Sequence, residues 1–500
     1  MNYRSLLSFV ALAVMIFTGL VSGPGCANIV PPQGGFKDTL APVIRRLTPA
    51  DSTLNFNRER IEFVFDEYID LDNPQQNLIV SPVPKNTPVV TRKLNTMTVR
   101  IRDTLEPNTT YSINFGNTIK DVNEGNILKN YTYIFSTGDY FDSLQLRGKV
   151  LLAESGGIDT TITVMLHRSG EDSALFYQKP RYIAKVDNQG NFRFRNLPKG
   201  TFYIYAIKSE GAYNYMSPET LFAFADSSVQ TGKEQAPITL YAYAEPKDPT
   251  APVTGSGSAK PKAGEKRLKF LTNLREGKQD LLSDFVLTFE TPLKTFDSTK
   301  VRLTTDSTFT PVTGYHWIVD STRKTATLKN AWKENTPYHL ILEKEFATDT
   351  LNQQLLKADT VDFYSNKNAD YGKLSLRFKN LDLSKNPVLL FLLNNDLKGA
   401  YPLTSPNFTQ QLFLPGEYTI RILEDRNKNG KWDAGKFYGK HIQPEIVKPI
   451  ERKIVVKANW ENEAEVDATA APSTEGQAIP GGRSVGPGVR PPAGGQRGRQ

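Results

Sequence analysis

The sequence predicts an all-β chain built as tandem sandwiches and ending in a disordered C-terminal tail. The first observation behind this is short runs with a period of two: Ile61, Phe63 and Phe65 share one face of a strand, and the same alternation returns in Met97/Val99/Ile101, Tyr111/Ile113/Phe115 and Tyr131/Tyr133/Phe135. Turn chemistry between the runs is the second, with 35 glycines and 32 prolines in 500 residues and no long helical periodicity. Third, landmarks recur in the same order. Asn335-Thr336-Pro337-Tyr338 repeats Asn108-Thr109-Thr110-Tyr111 (335 − 108 = 227), and Leu414-Pro415-Gly416-Glu417-Tyr418 repeats Leu197-Pro198-Lys199-Gly200-Thr201 (414 − 197 = 217). Two offsets this close indicate a duplicated pair of sandwiches.

The N-terminus sets the cellular placement. Arg4 precedes an apolar run from Leu6 to Val21, broken only by Ser8, Thr18 and Gly19. Sixteen residues are too few for a spanning helix, which needs about 20, but suit a secretory signal over residues 1–25. Cys26, the one cysteine of the chain, follows at once and is read as a lipid-attachment point carrying acyl chains such as palmitate. Gly23 and Pro24 stand at −3 and −2, where lipoprotein signals usually carry Leu and Ala or Ser. A lipidated spacer, 26–40, leads into the folded part. The expected location is the cell envelope, lipid-anchored at the outer membrane on its periplasmic or surface face. A single cysteine leaves no intramolecular disulfide, so packing alone must hold the domains.

The net charge of +8 is spread along the chain, with basic and acidic residues interleaved on solvent faces; this reads as a solvated surface, and no nucleic-acid partner is expected.

The first domain is placed at 41–140, with turns at Ser81-Pro82, Pro107-Asn108 and Asn123-Glu124-Gly125-Asn126. Gly34-Gly35-Phe36-Lys37-Asp38-Thr39 with Pro42, then Phe65-Asp66-Glu67, Pro107 to Tyr111, and Phe135-Ser136-Thr137-Gly138 resemble the bacterial Ig-like domain of the S-layer type, which often opens lipoproteins of Bacteroidota. The resemblance implies a sandwich and brings no catalytic residues.

The second domain is placed at 141–245. Leu146, Gly148 and Val150 form a strand, and Val164 and Leu166 belong to another. Asp187-Asn188-Gln189-Gly190-Asn191 reads as a hairpin turn before Phe192 and Phe194, and Thr201 to Ile207 is apolar on both faces, as a central strand would be. This order is similar to carboxypeptidase-regulatory-like domains of transthyretin type. A Pro/Ala/Gly/Ser/Lys-rich linker, 246–266, follows. The second Ig-like sandwich, diverged, is expected over 267–369 and the second regulatory-like sandwich over 370–460. Residues 461–500 begin acidic, become Gly/Pro/Arg-rich, and are read as the disordered tail.

Few motifs suggest chemistry. Asp425, Asn427, Asn429, Lys431 and Asp433, with Gly430 at the sixth place, have calcium-loop spacing, but position 12 is Lys436 where a bidentate Glu belongs. Glu424 or Glu445 would have to substitute, and the alternative is a polar Asn-Gly turn held by Asx hydrogen bonds. Asp66, Glu67, Asp70 and Asp72 are acidic but read as an exposed strand end. His167, His316, His339 and His441 show no ligand spacing, and no nucleophile elbow, P-loop or dinucleotide fingerprint occurs. Tyr203, Tyr205, Tyr213, Tyr215, Tyr241 and Tyr243 could stack on glycans but alternate as half-buried strand residues do. No catalytic residues and no certain cofactor are expected, calcium being the one candidate. The function expected is a non-enzymatic envelope lipoprotein acting as a structural or protein-binding module, with a calcium-supported glycan or matrix adhesin as the alternative.

Overall fold

The computed structural model describes residues 10, 12–14, 37–208, 213–215, 217–233, 237–245, 267–469 and 483–484. Cys26, the spacer through residue 36, the linker 246–266, most of the signal segment and nearly all of the tail lie outside the described residues. The regular structure among the described residues is almost all β, and the chain divides into two compact units, residues 1–142 and 143–500.

The first unit holds one sandwich. One sheet runs Ile44–Thr48, Arg60–Phe65, Thr96–Arg100, Val89–Lys93; the other runs Ile79–Ser81, Thr110–Asn114, Thr132–Ser136. The pleat aims alternate residues inward, so Ile61, Phe63, Phe65, Met97 and Val99 are at most 1% exposed. Antiparallel register sets Phe63 opposite Met97 and Ile61 opposite Val99. A short ribbon pairs Ile69–Leu71 with Ile119–Asp121 at one end.

In the second unit the same strand order recurs around the core of Phe285, Leu287, Phe289, Leu303 and Leu340. Phe270–Thr272, Phe285–Phe289, Thr325–Lys329 and His316–Val319 form one sheet, and Val301–Thr305, Pro337–Leu342 and Asp359–Ser365 sit centrally in the other. Leu293–Phe296 with Ala347–Asp349 repeats the short ribbon.

The other two sandwiches of this unit also match each other. In one, Leu144–Leu152 pairs antiparallel with Asn191–Leu197 and parallel with Ile238–Ala242. In the other, Gly372–Lys379 pairs antiparallel with Asn407–Phe413 and parallel with Trp460–Asp467. Their second sheets run Tyr182–Lys185, Ile162–His167, Gly200–Lys208, Phe222–Phe224, and Asp396–Pro402, Pro387–Leu393, Gly416–Glu424, Ile446–Val456.

Two expectations change. Residues 461–467 are no tail: Asn462, Ala464 and Val466 turn toward the sandwich while Glu461, Glu463 and Glu465 face outward. The acids that read as tail are the solvent side of a pleated strand. The Asp187–Asn191 turn closes no hairpin, because the strands on its two sides belong to different sheets.

Candidate functional site: the loop between Glu424 and Ile446

Strand Gly416–Glu424 ends at Asp425, and the next strand begins at Ile446. The intervening loop has a polar half and an aromatic half.

In the polar half, Asp425 is 2% exposed and accepts the backbone N–H groups of Lys428 and Gly430, each at 2.7 Å. Asn427 accepts from the Asn429 N–H at 3.0 Å, and Asn429 from the Lys431 N–H at 2.7 Å. The side-chain amides of Asn427 and Asn429 both donate to Asp433 Oδ2, at 2.6 and 2.7 Å. Gly430 takes a φ of 73°, in the left-handed region that glycine enters without a Cβ penalty. Glu445, 2% exposed, accepts from the Arg426 and Asp433 N–H groups at 2.8 and 3.1 Å. Lys431 contributes its backbone, and its side chain is exposed.

The calcium fit is incomplete. Two amide NH₂ groups point at Asp433, where a cation needs oxygens, and the Asn427 and Asn429 oxygens already hold N–H groups. Among the described residues, the one set of three acidic, histidine or cysteine ligand atoms within 4.8 Å of one another lies elsewhere, at Glu67, Asp121 and Glu124. The loop does bring Glu445 against its backbone, and no other spacing signal marked that residue.

The aromatic half reaches the sandwich of residues 144–242. The outer face of that sandwich's sheet carries Met165, His167, Tyr205, Ile207, Phe222 and Phe224, all at most 6% exposed. Phe437 closes over it, with ring centroids 5.0 Å from Phe222, 5.1 Å from Phe224 and 6.1 Å from Tyr205. Tyr438 packs on Phe176 and Tyr215 at 5.0 and 5.4 Å. His441 Nε2 lies 2.8 Å from Asp172 Oδ1, Gln443 Nε2 donates to the Phe224 carbonyl and Asp226 Oδ1, and the Val447 N–H donates to the Ala153 carbonyl. Gly435 is needed, since a Cβ there would stand 2.7 Å from the Tyr243 ring and from the Ile442 carbonyl. The tyrosines therefore line a buried seam: Tyr205, Tyr215 and Tyr243 are at most 6% exposed. Burial pushes the Tyr215 hydroxyl up to about 12, and Tyr243 and Tyr438 higher still, with the Glu245 carboxylate adding to each.

The acidic stretch near Asp66 is dispersed by the fold. Asp66 accepts the Val43 N–H and faces Arg45, Asp70 pairs with Arg92 at 2.8 Å, and Asp72 lies 3.8 Å from Lys120. Glu67 alone meets Asp121 and Glu124, from a turn more than fifty residues onward. Burial raises the Glu67 carboxyl, and the charges of Asp121 and Asp66 raise it further. Asp121 behaves oppositely: burial raises it, but N–H donation from Gly125, Glu124 and Asn126 outweighs burial and holds it below the usual range. A shallow cleft of about 490 Å³ between Asp70, Arg92, Lys120 and Glu124 adjoins this group. His339 pairs with Asp362 at 2.6 Å, while His316 is exposed on an edge strand.

Residues 38–137 match the bacterial Ig-like domain. That domain is the first sandwich and covers about a fifth of the chain. No curated protein matches the chain. Among solved structures, the Bacillus anthracis TIE protein is similar at 13% identity over 88% of this chain and 76% of that one, with a TM-score of 0.17. The major pilin subunit BcpA of Bacillus cereus is similar at 9% identity over 65% of this chain and 99% of that one, with a TM-score of 0.16. At such TM-scores neither carries an argument about function. Among the described residues, no helix is long and apolar enough to cross a membrane.

Proposed function

We propose that this chain is a non-enzymatic cell-envelope lipoprotein, held at the outer membrane by lipid on Cys26, whose sandwiches serve as a structural and protein-binding module. One observation carries the reading. The loop Asp425–Glu445, polar in one half and aromatic in the other, bonds to its own backbone N–H groups and joins one sandwich to another. Two or three acyl chains, at about 0.8 kcal/mol per buried methylene, would hold the protein firmly at a bilayer. The test is fractionation of cells fed labelled palmitate. The wild type is expected in the membrane fraction with label, and Cys26→Ser unlabelled and soluble; retention of the variant on membranes sinks the anchor. Capture of the lipidated protein with a stoichiometric envelope partner would support the binding role, and its recovery alone would count against it.

A second reading, a calcium-supported glycan or matrix adhesin, is favoured by one fact. Asp425 and Glu445 are both 2% exposed, and neither has an ion-pair partner among the described residues. Buried carboxylates are ordinarily paired or metal-bound. Calcium titration by calorimetry decides it: heat with the wild type that Asp425→Ala abolishes supports the site, and no heat removes it. A glycan array without signal would remove the adhesin role.

A further inference from the structure

We propose that the end of the first sandwich carrying Tyr68, Leu94 and Val122 is a docking surface for a segment of a partner protein that sets an apolar side chain beside a lysine or arginine. The inference rests on the protein-binding half of the reading above and gives it a place and a chemistry.

The first observation is a strip of exposed apolar side chains. Tyr68, Leu94 and Val122 are 56%, 59% and 52% exposed. Their backbones are stitched together: the Val122 N–H donates to the Tyr68 carbonyl at 3.1 Å, and the N–H of the next residue, Ile69, donates to the Leu94 carbonyl at 3.3 Å. Leu94 sits in the turn between Val89–Lys93 and Thr96–Arg100 with a φ of 57°. Left-handed turn positions favour Gly, Asn or Asp, so neither the turn nor the core calls for a leucine here.

The other Ig-like sandwich of the chain is an internal control. There the Thr350 N–H donates to the Pro292 carbonyl and the Leu293 N–H to the Arg323 carbonyl, which are the same two bonds. Arg323 also has a φ of 57°. The scaffold thus holds Pro292, Arg323 and Thr350 at the places of Tyr68, Leu94 and Val122. Contiguous exposed apolar groups that a fold does not require mark binding surfaces, and tyrosine is a frequent anchor in them.

Charge selects the occupant. Glu67, next to Tyr68, has a carboxylate oxygen within 4.8 Å of those of Asp121 and Glu124. Asp70 and Asp72 have Arg92 and Lys120 beside them, but Glu67, Asp121 and Glu124 pair with no base among the described residues. Asp121 accepts the N–H groups of Glu124, Gly125 and Asn126, which leaves the charges of Glu67 and Glu124 unbalanced. The control lacks this feature too: Thr291 stands where Glu67 does and donates to Asp349 Oδ2 at 2.9 Å. Uncompensated negative charge beside an apolar strip attracts a segment that is both basic and apolar. The same charge repels an anionic bilayer.

The experiment places a photo-reactive residue at the exposed position of Lys93 in the full chain, in cells, and identifies what it links to. A link to one partner protein is expected, at a segment with an apolar residue beside a lysine or arginine. Leu94→Arg and Glu67→Thr should each reduce the link about tenfold. Both put in the residue that the control sandwich carries at that place, so unchanged denaturation curves should accompany the loss. A link to lipid, to this chain or a second copy of it, or to a segment without a base overturns the proposal, as does no link or one that persists in either variant. Capture of the same partner by tagged wild type and by both variants would remove this surface and leave the binding role standing; capture of none by the wild type would end the binding role itself.

Discussion

Stability should fall with acid through His167. This side chain is 2% exposed, its Nε2 has no protein partner among the described residues, and its ring stands edge-on to Tyr205 at 5.7 Å. Burial disfavours the charged imidazolium and holds the group down to about 4, from 6.5 in the unfolded chain. Between these values the unfolded chain binds a proton that the folded chain refuses. Stability is therefore complete above pH 6.5 and declines as pH falls toward 4. The slope is about 1.4 kcal/mol per pH unit, so the loss approaches about 3 kcal/mol at the bottom of the window. The assay is urea unfolding from pH 7 to pH 4, comparing the wild type with His167→Gln, which cannot titrate. Subtracting the variant removes the carboxylates, whose own losses occur in the same acid range. A wild-type-minus-variant difference that stays flat from pH 7 to pH 4 would refute the reasoning, and so would a His167 resonance, assigned by its loss in His167→Gln, that titrates near 6.5.

Further outcomes follow from the same physics. Gly148→Ala places a Cβ 2.2 Å from the Ile238 carbonyl and 2.6 Å from the Phe192 ring, so thermal unfolding should show about 1–3 kcal/mol of destabilisation. Asp121→Asn removes the anionic acceptor of the Glu124, Gly125 and Asn126 N–H groups. It should weaken the first sandwich by about 1–3 kcal/mol at pH 7. Because the folded-state carboxyl is held low, the wild type's advantage should shrink as pH falls through that lowered value, readable in denaturation curves. Tyr371→Phe should leave each sandwich folded but free Leu281 and Asp280 of their shared partner, raising amide exchange at Leu281. Phe437→Ala should split urea unfolding of residues 143–469 into separate steps; Phe→Ala in packed surroundings costs about 3–5 kcal/mol, and Phe437 lies outside the core of its own sandwich.

Much of the fold was legible because strand signals are local. Period-two alternation at Ile61–Phe65, Tyr111–Phe115 and Phe285–Phe289 states which side chains share a face, and each of these sets is buried. The recurring landmarks pointed to a repeat because turns tolerate few residue types, and the central strands of the paired sandwiches follow matching orders, with extra edge strands in some sheets. The apolar character of Thr201–Ile207 on both faces was also readable from the residues alone. What covers its outer face was not, since Phe437 lies more than two hundred residues onward and no local periodicity links them. Tertiary structure likewise decided that Glu67 meets Asp121, that Glu461–Asp467 is a strand, and that the Asp425–Asp433 oxygens bind their own loop's N–H groups. Sequence sets each residue's preference for a face or a turn; which distant surface satisfies that preference is settled only when the chain closes on itself and every buried polar group must find a partner.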